Sequence, residues 1–156
     1  MTFRWLCWVT VIALSAPIAA EGMLMGRVAM AAEVVVAYVE TSIEEHGYRI
    51  AHRQTCDTGL GDVGYKSDFY QVVFFGKPEE VRRISANHPE LVSHLPLKLA
   101  VIAERDETLL TALNPEALAP FFADEAVQIQ LARWHRDLVS IFGDVKRATA
   151  AHRPGS

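Results

Sequence analysis

The stretch LKLAVIAERDETLLTAL, residues 97–113, decides the fold class. Leu97 to Glu104 is an apolar run of strand length, and Thr108 to Leu113 is a second one. Asp106-Glu107 lies between them and is expected to form a tight turn, because acidic side chains of this kind favour turns through local hydrogen bonds. Two runs joined this closely pair antiparallel, since a parallel pair needs a long crossover.

Upstream of the hairpin, Phe69 to Phe75 is aromatic and β-branched and reads as a strand ending at Gly76-Lys77-Pro78. Alternation puts Phe69, Val73 and Phe75 on one face and Tyr70, Val72 and Phe74 on the other. A strand apolar on both faces is central to its sheet, or it contributes to a second surface: a dimer contact or an apolar ligand groove. Core packing alone is the alternative. Pro78 opens a short helix over Glu79 to Ala86, and Pro89 to His94 forms a helical turn stopped by Pro96. Further upstream, Ala32, Val36, Val39 and Ile43 recur in steps of four, three and four. That period predicts a helix over residues 32–46, stopped by Gly47, and outweighs the β-branched run Val34-Val35-Val36. Tyr48 to Gln54 alternates as a strand, with Tyr48, Ile50 and His52 on one face against Arg49, Ala51 and Arg53 on the other. Gly22 to Ala29 reads as a first strand, weakened by Gly26.

Downstream, Asn114-Pro115 opens a short helix to about Phe122. Asp124 caps a long helix whose stripe is Val127, Leu131, Trp134, Leu138, Ile141 and Val145. Gly143 offers an early end, and residues 148–156 read as a frayed tail. The order is β-α-β-β-α-β-β-α. It predicts one α+β domain over residues 21–147, a two-layer sandwich with an antiparallel-dominated sheet and its helices on one face.

The chain has 156 residues, 51% hydrophobic and 22% charged, which is a globular balance rather than a disordered one. A net charge of −4 with scattered basic residues excludes a surface built for a polyanion, so nucleic acid is not an expected partner. Met1 to Arg4 reads as a charged n-region, Trp5 to Ile18 as an apolar h-region, and Ala19-Ala20 as a small-residue cleavage site. Residues 1–20 are therefore expected to be a signal peptide of an exported, periplasmic or secreted bacterial protein. The apolar run is short for a permanent membrane anchor. Cleavage would remove Cys7 and leave Cys56 as a solitary thiol, so no intramolecular disulfide is expected.

Val63-Gly64, Val72-Val73-Phe74-Phe75-Gly76-Lys77-Pro78, Asn87-His88-Pro89-Glu90-Leu91 and Leu95-Pro96-Leu97-Lys98 occur in that order. Together with Asn114-Pro115 ahead of a helix, they resemble domain-of-unknown-function family 302 over about residues 22–145. The resemblance implies a small α+β domain similar to the TATA-binding-protein-like or helix-grip arrangement. It also implies a tendency to homodimerise and export from a bacterial cell, and it carries no settled activity. The family often has a histidine in the loop after the second strand, where this sequence has Cys56. It often has a Tyr and an Arg-His-Gly step after Asn-Pro, where this sequence has Ala117 and Phe121-Phe122-Ala123.

The residues that could carry chemistry are few. His52 and Cys56 share a strand face by their even spacing, and Asp57 adds a carboxylate. A thiolate with an imidazole suits copper or zinc, although no cofactor is predicted; the alternative is an inert, buried cysteine. His94 is a further binding candidate. It and His88 lack the i, i+4 spacing that pairs ligands on a helix. His46 complements a helix C-terminus, and His135, one step off the apolar stripe, is expected to face solvent. Glu44-Glu45, Glu79-Glu80 and Asp106-Glu107 read as helix-surface, first-turn and turn carboxylates. Gly59, Gly61 and Gly64 spell a dinucleotide fingerprint without the helix that should follow it. Three functions remain, one of them a purely structural protein assembled through the two-faced strand. Another is an exported, homodimeric accessory protein that holds a small ligand or a partner protein. The third is a thiol- or metal-dependent enzyme or redox sensor using Cys56 with His52.

Overall fold

The computed structural model describes residues 22–56 and 69–152. Residues 1–20, Asp57, the glycines at 59, 61 and 64 and the last four residues lie outside them. The elements run β1 (Met23–Val28), α1 (Ala32–Glu45), β2 (Arg49–Thr55), β3 (Tyr70–Gly76), α2 (Pro78–Asn87), β4 (Leu97–Glu104), β5 (Glu107–Leu113) and α3 (Glu125–Ala151). Short 3-10 helices cover Pro89–His94 and Pro115–Phe121. This is the α+β order read from the sequence. All five strands form one antiparallel sheet in the order β1-β5-β4-β3-β2.

The core follows from alternation. Val73, Phe75, Leu97, Leu99, Val101, Leu110 and Ala112 point from the sheet toward the helices and are buried. They meet Val35, Val39 and Ile43 of α1 and Leu131, Trp134, Leu138, Ile141 and Val145 of α3. The α1 stripe therefore runs through Val35, with Val36 only partly buried, one residue from the expected position. Gly47 ends α1 with φ at +75°, where a side chain would be strained.

Three local expectations are corrected. Glu104 pairs with Glu107, so the tight turn is Arg105-Asp106, and Arg105 takes a φ of +53°. Two-residue hairpin turns require a positive φ at their first central residue. Second, β2 carries a bulge between Ile50 and His52. Ile50 faces the core opposite Phe75, whereas His52 lies opposite Phe74 on the other face. The even spacing that groups Ile50 with His52 fails there, because a bulge inserts one unpaired residue. Third, α3 continues through Gly143 to Ala151. Thr149, in the stretch expected to fray, is buried and donates to the Val145 carbonyl at 2.8 Å. The His152 ring packs on Tyr38 at 5.8 Å. Burial along this last turn outweighs the roughly 1 kcal/mol that a glycine costs inside a helix.

Two polar clusters fasten the helices. Between α1 and α3, Asp144 accepts from the Ser42 hydroxyl at 3.1 Å, meets His46 Nε2 at 2.8 Å and pairs with Arg147. The serine and histidine side chains both bond the aspartate and make no bond to each other, so this is a clasp and not a nucleophile–base pair. The His46 contact, with Ser42 and Arg147, holds the Asp144 carboxyl below its usual range against the opposing effect of burial. Between α2 and α3, Glu80 accepts from Trp134 Nε1 at 3.1 Å and pairs with Arg133 at 2.5 Å. Gln130 bridges Arg83 and Arg133 beside it, both at 2.9 Å. Next to this cluster the Tyr48 hydroxyl donates to Asp137 at 2.6 Å. Burial, reinforced by that carboxylate, raises the phenol's pKa.

Candidate functional site

The helices cover one face of the sheet; among the described residues no helix covers the other. Register assigns that face in three rows. The first runs Met23, Leu113, Lys98, Phe74 and His52, with Lys98 beside Leu113 by the register of the β4–β5 pair. The second runs Met25, Thr111, Ala100, Val72 and Gln54. The third runs Arg27, Leu109, Ile102 and Tyr70, and Cys56 joins it through its N–H to the Tyr70 carbonyl at 2.9 Å.

Most of these side chains are apolar, and several lie open. Met23, Met25 and Leu113 are 45%, 59% and 41% exposed. Val72, Phe74 and Ile102 are half-buried by their neighbours alone. Charges sit at the two ends of the strands. At the first row, Lys98 Nζ lies 5.9 Å from the Phe74 ring centroid, and the His52 ring is 5.8 Å from the same ring. At the opposite end, Arg27 pairs with Glu104 at 2.8 Å, and Glu107 is exposed beside them. The shared hydrogen bond lowers the Glu104 pKa and raises that of Arg27.

His52 and Cys56 share the open face, at the β2 edge of the first and third rows. Four rises of about 3.3 Å set them roughly 13 Å apart, too far for one ion held by both side chains. Cys56 is partly buried, with Sγ 3.9 Å from the Gln54 carbonyl. Among the described residues no three His, Cys, Asp or Glu side chains converge on a point that would hold a metal ion. His94 is exposed and lies apart from that pair, at the end of the 3-10 helix Pro89–His94. It lines a small cavity of about 120 Å³, walled by Leu97, Leu118, Leu131, Trp134 and Leu138. Asp57 is outside the described residues. His135, expected to face solvent, is instead turned onto the buried Asn114 side chain at 2.8 Å.

The sequence shows Tyr70, Val72 and Phe74 on a second surface, and the structure adds the β1, β4 and β5 residues of the same face. Met23 and Met25 are two apart, and so are Leu109, Thr111 and Leu113. That alternation was the available signal, obscured in β1 by Gly26. The glycine is there for packing, since a Cβ would come within 3.2 Å of the Phe142 ring.

No helix among the described residues is long and apolar enough to cross a membrane. The family model described as "Domain of unknown function DUF302" matches residues 27–144. A crystal structure of an uncharacterised conserved DUF302 protein from Bacillus stearothermophilus is similar, with a TM-score of 0.70 and 18% identity. The match covers 81% of this chain and 99% of that one. At this identity the likeness speaks for the fold. No curated protein matches the chain.

Proposed function

The chain belongs to the DUF302 family, and from that premise we propose that it is an exported accessory module that works by binding, through the uncovered face of its sheet. The observation that carries this reading is the open apolar face itself. Contiguous exposed apolar surface on a folded protein marks an interaction site, and here it centres on Met25, Val72, Phe74 and Leu113.

The occupant that fits best is a second copy. The face carries Lys98 at one strand end, and at the other Glu107 lies exposed beside the Arg27–Glu104 pair, which neutralises itself. A two-fold axis crossing the strands would lay the Lys98 end of one copy over the Glu107 end of the other, the self-complementarity that an isologous contact requires. Five strands about 4.8 Å apart and three rows about 6.6 Å apart give roughly 500 Å² per copy, about 1,000 Å² in all. That is at the lower bound for a specific interface and fits a dimer of modest affinity. The order of Met1 to Ala20 supports export.

Cell fractionation with native mass spectrometry tests the whole reading. The expected species is periplasmic or secreted, begins at Glu21, and flies as a dimer or with a bound partner. A cytoplasmic, uncleaved monomer without ligand would overturn it.

A further inference from the structure

A groove lies where the Arg49 end of β2 meets the start of α2. Its volume is about 560 Å³, within the range of small-molecule sites. Its floor is apolar: Ile50, Gly76, Pro78, Val81 and Pro96. Gly76 is held close beneath Val81, whose Cγ2 would lie 3.0 Å from an added Cβ. Arg49 and Arg82 stand at its rim, and the bulge residue Ala51 completes the wall.

The charges at the rim are unequal. Arg82 is paired with Glu79 one helical turn away. Arg49 has no carboxylate partner among the described residues. The start of α2 adds a second positive element. Its N-cap is Lys77, which has no side-chain acceptor, and Pro78 follows. The N–H groups of Glu79 and Glu80 therefore have no partner within the helix, and the positive end of the dipole faces outward at Pro78. The exposed Glu79 carboxylate offsets that dipole in the first turn and pairs with Arg82, while Glu80 is turned inward to Trp134 and Arg133, which leaves the Arg49 guanidinium as the uncompensated charge at the groove.

We infer that this groove binds an amphipathic monocarboxylate, its apolar body on Ile50, Val81 and Pro96 and its carboxylate on the Arg49 guanidinium. One uncompensated guanidinium matches one negative charge in a bidentate fork, and an apolar floor disfavours a polyanion such as phosphate. The inference deepens the binding reading above by naming a ligand class. It does not depend on the dimer, because the groove lies outside the three rows of the open face.

The test is titration of the full-length protein with benzoate and with hexanoate, followed by amide NMR shifts and calorimetry. Benzyl alcohol and inorganic phosphate serve as controls. The expected result is saturable binding of an acid with Kd of about 1 mM or tighter, with shifts at Ala51, Gly76 and Val81. The controls should bind at least about tenfold more weakly, and Arg49→Gln should weaken the acid by about tenfold or more. Arg49→Lys should keep part of the affinity, and Ala51→Glu should abolish it. Arg49 is exposed on an edge strand, so its variants should fold, which circular dichroism checks. Absence of saturable binding by either acid overturns the inference. So does equal binding of benzyl alcohol or phosphate, or an Arg49→Gln protein that binds as before. None of these outcomes bears on the oligomeric state.

Discussion

Glu80→Ala should be among the most damaging polar substitutions in the domain. The Glu80 side chain is only 13% exposed. It accepts from the indole of Trp134, which is itself buried, and pairs with Arg133. Truncation leaves the Trp134 N–H without its acceptor in a dry site, at a cost of about 1–3 kcal/mol. It also removes a charge-assisted contact from Arg133. That guanidinium is partly exposed and keeps Gln130, so its share should be smaller. Together the loss should be about 2–4 kcal/mol, against a total stability on the order of 5–15 kcal/mol. For a domain of this size that corresponds to a fall in Tm of roughly 10 °C. Urea and thermal unfolding followed by circular dichroism give both numbers. Adding Arg133→Met should cost less than it does in the wild-type background, with a coupling of about 1 kcal/mol or more. The consequence reaches the groove at the start of α2, because this anchor fixes α2 and with it Pro78, Val81 and Arg82. A loss below about 0.5 kcal/mol, the level of a neutral surface change, would refute the reasoning.

Two further outcomes are expected. The folded pKa of Asp144 lies below its unfolded value, so its carboxylate contributes fully above that unfolded value of about 3.9. The contribution is lost as pH falls further, through the folded value. The stabilities of wild type and Asp144→Asn should therefore differ at about pH 5 and converge below about pH 4; a difference unchanged down to about pH 3 contradicts the clasp. Second, at a separation of about 13 Å, His52 and Cys56 act independently. Cys56→Ser and His52→Ala proteins should show the same copper and zinc content as wild type by elemental analysis. A stoichiometric metal lost in both variants would restore the thiol–imidazole reading.

The sequence made the fold legible wherever a period ran long enough to be counted. The α3 stripe from Val127 to Val145 and the hairpin from Leu97 to Leu113 each repeat one geometry over many residues, and each sits where its period put it. Single-residue events were not legible. The bulge at Ile50 to His52 leaves the letters alternating while the chain changes face. At the hairpin, Asp106-Glu107 looked like the turn on side-chain chemistry, but pairing of Glu104 with Glu107 moved it one residue back. Local reading also treated Glu80 as a helix-dipole carboxylate, which explains its position in the first turn. Its actual partners, Trp134 and Arg133, lie more than fifty residues away, and only the packing of α2 on α3 brings them together. The Ser42–His46–Asp144 clasp was hidden for the same reason. The open face was half visible, in Tyr70, Val72 and Phe74, because an apolar strand face with no helix above it reads the same as one that is covered.

A second copy of the chain is the proposed occupant of the uncovered sheet face. Sedimentation equilibrium over a range of concentrations tests it most directly, on wild type, Phe74→Asp and Phe121→Asp. Phe121 is the control: its ring is 79% exposed but belongs to the 3-10 helix Pro115–Phe121, away from the sheet. Wild type and Phe121→Asp should be reversible dimers. Phe74→Asp should be a folded monomer, with association weakened by about tenfold or more, as for loss of an aromatic anchor. A wild-type monomer at every concentration, or a dimer indifferent to Phe74→Asp, would contradict it.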